Sequence, residues 1–373
     1  MFKFYRPEDA VYASMLPKIT ITEGIDFDVI PPVGAPSFPV YMPEEGYGFL
    51  HEAAIIEFHG KLFASWYNNP ERELRGYTPI RGCESADGGK TWSPVRTFAE
   101  DKSGEILYCP PVYGVDGDTL YMFMNQMVSA DHMHALDLYI YKEDSDTFER
   151  LWSRPIPFKL NTNVYRLHNG KLLLPGRIAE MDGFPNTPAV MISDSGKIDA
   201  EWRLVHIAPD GNLADGSKLV HPELSAVIDG DTVHIFCRDD ERRVPIMYRS
   251  DDNGETWSGP IAIDIPFGSS KIYSGTLEDG RNYVVGNLFC REDRPTREWL
   301  ALLVSEPGEM KFTKLITLQY RESAALGMGR DQWSYPVAHE ADGKLYVIYT
   351  VCPIPGNNDQ RGAVLSVVDL KKI

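Results

Sequence analysis

Residues 250–257 read SDDNGETW, and residues 85–92 repeat the pattern as SADGGKTW. Both hold Ser, Asp, Gly, Thr and Trp at matching positions. An Asp side chain accepts hydrogen bonds from the amides of its own turn, a glycine supplies left-handed backbone, and a tryptophan ring folds back over what lies beneath. The pattern is expected to rivet a third strand to a fourth, rather than to bind calcium or substrate. Weaker versions, YKEDSDTF from Tyr141, SDSGKIDAEW from Ser193 and SEPGEMKF from Ser305, keep the same beat.

Outward from these knots a second repeat emerges. HGKLFASW, DGDTLYMFM, NGKLLLPG, DGDTVHIFC, DGRNYVVG and DGKLYVIYT each place a glycine (Gly60, Gly117, Gly170, Gly230, Gly280, Gly343) before a strand-like run, at intervals of 50–63 residues. Asp-Gly or Asn-Gly between apolar runs is a strong hairpin signal, because these residues tolerate positive φ. Each copy is preceded by another strand-like run and followed by a third strand and a knot. Four strands repeated six times predict an all-β fold: a six-bladed β-propeller with four-stranded antiparallel blades, one domain over residues 1–373. The last unit, from Trp333, runs out at Ile373 before a fourth strand. The N-terminal KITITEG, from Lys18, is expected to supply it and close the ring.

Composition agrees with a large β body: 43% of the 373 residues are hydrophobic and 11% aromatic. The formal charge of −17 argues against nucleic acid and anionic membranes, which need a basic face. No apolar run approaches the roughly 20 residues of a membrane span, and MFKFYRPEDA lacks the apolar stretch of a signal peptide. A cytoplasmic setting is the simpler expectation; a secreted or periplasmic protein with its leader removed would look the same. Cys83, Cys109, Cys237, Cys290 and Cys352 form no CxxC pair and read as small core residues. No cofactor is called for, and the pattern leaves the oligomeric state open.

The Ser-x-Asp-x-Gly-x-Thr-Trp box, set in a run of propeller blades, resembles the sialidase (neuraminidase) superfamily, of which this chain reads as a divergent member. The resemblance implies a site at the centre of the ring, on the face opposite the boxes, with an arginine triad, a Glu-assisted Tyr nucleophile and an acidic acid/base group. HPELSAVIDGDTVHIFCRDD is similar to the family stretch carrying a Glu and then an Arg, which gives Glu223 and Arg238. REWLALLVSEPG resembles the segment of the last arginine, Arg297, and QWSYPVAHEADGKLYVIYT the segment of the tyrosine. Two departures stand out: Trp333 falls where the nucleophile would align, with Tyr335 two residues on, and His51 and Glu52 stand where the family opens its first blade with an arginine.

The hairpin register also predicts the central mouth without any family. Residues seven to nine before each turn glycine open the innermost strands, among them His51, Glu52, Tyr108, Asn161, Asn163, His221, Glu223, Lys271, Tyr273 and Tyr335. Residues seven or eight after it close the second strands: Asn68, Asn125, Arg177, Arg238 and Asn287. A polar and aromatic ring suits a sugar, whose hydroxyls need paired donors and acceptors and whose apolar face an aromatic ring covers. Arg177, Arg238, Lys271 and Arg297 would suit an anionic group. The candidate substrate-binding set is therefore Arg177, Arg238, Arg297, Lys271, His51, Glu52, His221 and Trp333, and the partner is a carbohydrate.

The expected chemistry is that of an exo-acting, sialidase-like glycoside hydrolase. Glu223 deprotonates Tyr335, which attacks the anomeric carbon, while Glu71 or Glu73 of NNPERELRGY protonates the leaving oxygen. A tyrosine replaces a carboxylate nucleophile where the substrate's own carboxylate would repel one. Two alternatives stay open: a uronate lyase, with Arg or Lys neutralising the carboxylate and His51, His221 or Tyr335 taking a proton, and a glycan-binding propeller without turnover. His132 and His134 of DHMHALD share a strand face, but lacking a visible third ligand they read as a loop or strand edge rather than a metal site. Gln360 and Arg361 of GNNDQRG are expected in a loop over the mouth. FPNTPAV, after Arg177, reads as a rim segment to which no role is given.

Overall fold

The computed structural model describes residues 6–130, 132–178, 186–208, 213–289, 297–321, 333–352 and 359–373. Its strands form six antiparallel sheets, arranged as the blades of a propeller. Blade 1 runs Phe49–Phe58, Lys61–Asn69, Ile80–Ser85 and Arg96–Ala99 from the innermost strand outward, and blade 2 Leu107–Val115, Leu120–Ser129, His132–Lys142 and Thr147–Arg154. Blade 3 has a broken innermost strand, Lys159–Leu160 and Tyr165–Arg166, before Leu172–Ile178, Thr187–Ser193 and Arg203–His206. Blade 4 comprises Leu224–Asp229, Thr232–Cys237, Ile246–Ser250 and Ser258–Ile263; blade 5 Tyr273–Thr276, Arg281–Asn287, Trp299–Pro307 and Phe312–Tyr320. Blade 6 takes Trp333–Ala341, Lys344–Val351 and Gly362–Asp369 from the end of the chain and Ser37–Tyr41 from its beginning.

The closing strand is thus N-terminal, but it is not KITITEG. Ser37–Tyr41 pairs antiparallel with Gly362–Asp369, whereas Lys18–Ile19 lies parallel beside the outer strand of blade 4. Thr22 and Val33 then bridge to Phe312 and Thr317 on the outer strand of blade 5. Residues 18–41 form a strap along the outer edges of blades 4, 5 and 6. The alternation of KITIT suits any exposed sheet edge, and chain length decides which edge it meets. Ahead of the strap, Pro7–Met15 forms a helix that the repeat pattern does not announce. Proline at its start and Glu8 and Asp9 in its first turn suit a helix N-terminus, and Tyr12, Ala13 and Leu16 join the core of blades 3 and 4.

The six turn glycines all have positive φ. In blades 1 and 6 the preceding residues, His59 (φ 50°) and Asp342 (φ 51°), share it, which makes two-residue turns of the I′ kind. All five knots lie between third and fourth strands. In the two full boxes the serine hydroxyl accepts the glycine amide (Gly89 to Ser85, 2.9 Å; Gly254 to Ser250, 2.8 Å). The aspartate accepts the threonine amide and hydroxyl, at 2.9 and 2.7 Å for Asp87 and 2.9 and 2.6 Å for Asp252. Each box also touches the blade before it: a Cβ added at Gly89 would meet Leu365 of blade 6, and one at Gly254 would approach Ile192 and Leu173 of blade 3. Cys83, Cys109, Cys237 and Cys352 are buried and unpaired; Cys290 lies outside the described residues.

Hydrogen bonds from the Thr91 amide and hydroxyl hold the Asp87 carboxyl down to about 2, against an ordinary 3.8. A depressed folded-state value contributes stability that is present above the unfolded value and lost as pH falls through the folded one. Asp87→Asn is therefore expected to show a shallower loss of stability than the parent between 3.8 and about 2, measured by denaturant unfolding across that range.

Candidate active site

Six innermost strands open at one end of the ring, and three residues there hold left-handed backbone without being glycine: Glu52 (φ 49°), His221 (φ 52°) and Tyr335 (φ 56°). Such residues cost roughly 1–2 kcal/mol each and persist where their surroundings over-determine them. Glu52 and Tyr335 share a cause. Each sits on a bulge, between His51 and Ala54 in blade 1 and between Ser334 and Val337 in blade 6, where two residues stand opposite one on the partner strand. A bulge turns its side chain out of the sheet alternation. Here it brings both to the centre.

The centre is organised by Arg238. Its Nη1 donates to Glu223 Oε2 at 2.5 Å and to the Tyr335 hydroxyl at 2.8 Å, while Nε and Nη2 fork onto Asp240 at 3.0 and 2.8 Å. Asp240 in turn bonds His221 Nδ1 at 2.9 Å and accepts from Ser269. Around the Tyr335 ring lie the His51 ring at 4.0 Å, the Arg297 guanidinium at 5.4 Å and the Lys271 ammonium at 5.9 Å. Lys271 Nζ donates to Glu52 Oε2 at 3.2 Å, with both side chains buried. The structure therefore gathers Glu223, Tyr335, Arg238, Arg297, Lys271, His51 and Glu52 into one cluster, with His221 tied to its edge through Asp240. Arg177 is buried beside it and contributes to the field on Glu223.

The proton affinities diverge within this cluster. Burial opposes charge on Glu223, but Arg238, Arg177 and Lys271 together bring its carboxyl below the ordinary range. Burial pushes Glu52 up; Lys271 pulls it back, and Glu223 and Glu73 push further up. Burial raises the Tyr335 phenol despite Arg238. His51 is pushed well below its ordinary value by burial and by the charges of Arg361, Arg297, Lys271 and Arg238; its Nδ1 meets Thr350 Oγ1 at 3.3 Å. Asp240 is held down by His221, Arg238 and Ser269 against the effect of burial.

Other residues fall elsewhere. Glu73 accepts a hydrogen bond from Tyr67 at 3.1 Å and its charge reaches Tyr335 and Glu52, so it faces the cluster. Glu71 lies on the same loop, and both glutamates are exposed. Trp333 packs into the hydrophobic core of blades 5, 6 and 1, with the Arg321 guanidinium 5.4 Å from its ring. Several mouth asparagines bind backbone. Asn125 joins Phe158 and Leu160 (2.9 Å each), Asn163 joins Tyr113 (2.9 Å) and Ile55 (3.0 Å), Asn161 accepts the Leu224 amide (3.0 Å) and Asn287 donates to Trp333 (2.9 Å). They stitch neighbouring strands together. His132 and His134 open the third strand of blade 2, and among the described residues no group of three His, Cys, Asp or Glu side chains is placed to hold a metal ion. Arg361 is buried with its guanidinium 5.0 Å from the Phe49 ring, and its charge reaches His51.

Sequence reasoning missed Asp240, Ser269 and Thr350. The signal for Asp240 was present in the run Arg-Asp-Asp at 238–240: a carboxylate two residues after an arginine at a strand end can fold back on it. Ser269 and Thr350 reach the centre through tertiary packing and left no local trace.

Comparison with known proteins places the chain. The model of the BNR repeat-like domain family matches residues 60–347; the chain belongs to that family. Among solved structures it resembles a protein of unknown function from Dyadobacter fermentans (TM-score 0.70, 14% identity, 91% of this chain and 100% of that one). It is similar to a leech intramolecular trans-sialidase in complex with 2,7-anhydro-Neu5Ac (TM-score 0.69, 11% identity, 91% and 71%). It is also similar to Trypanosoma rangeli sialidase in complex with sialic acid (TM-score 0.61, 15% identity, 94% and 59%). At these identities the likeness shows the fold alone, the propeller that these sialidases share. The chain spans about 60% of the trypanosomal chains' length. No curated protein sequence matches. No described helix is long and apolar enough to cross a membrane.

With His51 pushed well below 6.5, its ring is expected to stay neutral throughout the neutral range. Histidine NMR spectra should show its resonances constant between about pH 8 and about 6 while an exposed histidine moves toward its ordinary pKa; a midpoint near 6.5 for His51 would contradict its placement.

Proposed function

We propose that this protein is an exo-acting glycoside hydrolase that uses Tyr335 as nucleophile on a carbohydrate. The observation that carries the reading is the fork of Arg238, one nitrogen of which donates both to the Tyr335 hydroxyl and to Glu223 at a buried centre. A buried phenol whose proton affinity is raised does not ionise unaided. Beside it Arg238 stabilises the phenolate as it forms, and Glu223, held ionised, takes the proton. Glu223 and Tyr335 meet through Arg238 rather than directly, so this transfer requires a small shift of the guanidinium or one bridging water.

In the first step the Tyr335 oxygen bonds the anomeric carbon as the glycosidic C–O bond breaks; Glu223 receives the phenol proton and Glu73 gives its own to the leaving oxygen. In the second step water attacks the anomeric carbon as its bond to the Tyr335 oxygen breaks; the water's proton passes to Glu73, and the Tyr335 phenolate recovers its proton from Glu223. Glu73 is favoured over Glu71 because it faces the cluster. The sialidase propellers that share the fold lend the reaction class support, at an identity too low to carry a substrate across. The neutral His51 ring, 4.0 Å from Tyr335, supports a second reading, elimination from a uronate, with His51 as base and Lys271 or Arg297 on the carboxylate.

Incubation with a panel of aryl glycosides, run beside ultraviolet detection of unsaturated uronates on acidic oligosaccharides, tests both. Release of the aryl group is expected, and Tyr335→Phe should reduce it about a thousandfold or more while leaving ligand binding within a few-fold. Full turnover in Tyr335→Phe would remove the nucleophile assignment, and a rise in absorbance without hydrolysis would select the lyase.

A further inference from the structure

We propose that Glu52 is a specificity-determining residue that makes the site refuse a carboxylated sugar and accept an uncharged one, an inference that rests on the carbohydrate reading above. The observation is an internal counter-ion. Lys271, the ammonium nearest Tyr335, is already bonded to Glu52 at 3.2 Å, and Glu52 is only 9% exposed. Arg238 is shared between Glu223 and Asp240. Both of these cations are thus bonded to carboxylates of the protein before any ligand arrives, while Arg297 and Arg177 stand beside them.

A carboxylate that takes Lys271 as its partner would have to displace Glu52 and remain beside Glu223. Glu52, once displaced, would be left as a buried charge without its counter-ion, a state proteins strongly disfavour. The environment of Glu52 itself reports the penalty: burial, Glu223 and Glu73 all work against a negative charge there, and Lys271 only partly offsets them. Sugar hydroxyls meet no such barrier, since they can donate to these carboxylates and accept from Lys271 without adding charge.

The backbone points the same way. Glu52 holds φ 49° on a bulge, the same position relative to its hairpin as Tyr335, eight residues before the turn glycine. Strained backbone at a site is retained where the side chain it aims is used. The bulge in blade 6 aims the phenol. That in blade 1 aims a carboxylate at the ammonium beside it.

The test uses the full chain on a glycan array holding matched neutral and carboxylated members, uronic acid and sialylated glycans included, followed by titration of the best binder and its carboxylated counterpart. The parent is expected to bind the neutral member at least about tenfold more tightly. Glu52→Gln, which keeps the shape and frees Lys271, should narrow or invert that ratio by about tenfold. Adding Lys271→Met to Glu52→Gln should abolish the gained affinity, because the ammonium is what the carboxylate would bind. The parent's own preference needs no variant and stands even if Glu52→Gln folds poorly. A parent that prefers carboxylated glycans, or a Glu52→Gln ratio equal to the parent's, overturns the assignment while leaving the carbohydrate reading intact. A parent that binds and cleaves no glycan overturns both.

Discussion

The structure depends on ring closure. Blade 6 has three strands from the end of the chain and needs a fourth, and Ser37–Tyr41 supplies it. Immediately afterwards the chain clamps onto blade 1: the Arg81 guanidinium lies 3.7 Å from the Tyr47 ring and 2.9 Å from Glu44, and the rings of Tyr41 and Trp66 are 5.1 Å apart. One short segment therefore completes the last blade and fastens it to the first. The strap ahead of it ties the outer edges of blades 4 and 5 into the same closure.

That arc of the ring carries the candidate site. Glu223, Arg238 and Asp240 come from blade 4, Lys271 and Arg297 from the approach to strands of blade 5, Tyr335 from blade 6, and His51, Glu52 and Glu73 from blade 1. No blade holds the constellation alone. The bond from Arg238 to Tyr335 spans 97 residues and the one from Lys271 to Glu52 spans 219, so both exist only in the closed ring. Blade 3 adds Arg177 beside Glu223, and blades 2 and 3 also contribute Asn125, Asn161 and Asn163, whose side chains satisfy backbone groups where innermost strands meet. A buried amide group left without such a partner would cost about 1–3 kcal/mol, which accounts for polar residues at a mouth that need not touch a ligand.

The fold was legible because its determinants are local and repeated. A turn glycine with positive φ and a box whose serine and aspartate bind amides two to four residues away can be read from eight letters. The candidate site was legible in part, for a related reason: hairpin register fixes which residues stand at the mouth, and it singled out Glu223, Arg238, Lys271, His51, Glu52 and Tyr335 before any coordinates. Register does not say which of them meet. It could not separate asparagines that stitch strands from charges that form the cluster; the resemblance, for its part, aligned Trp333, packed into the core, in the place taken by Tyr335, which a bulge turns to the centre. The closing strand was misplaced because Lys18–Ile19 and Ser37–Tyr41 both suit a sheet edge, and the length of chain between them is a tertiary fact.

The two bulges also explain why a phenol suits this centre. Glu52 and Tyr335 occupy the same register position in adjacent blades, and each is aimed at a cation from two blades away. Had the position in blade 6 held a third central glutamate, it would have met Glu223 across Arg238 with Glu52 close by. Like charges so placed push at least one proton affinity upward and leave that group uncharged and poorly nucleophilic. A neutral phenol adds no charge at rest, and in the reaction proposed it becomes an anion only beside Arg238, which compensates it. The carboxylates that belong to the protein therefore supply a reason for the tyrosine, and that reason does not require the substrate to carry a carboxylate of its own.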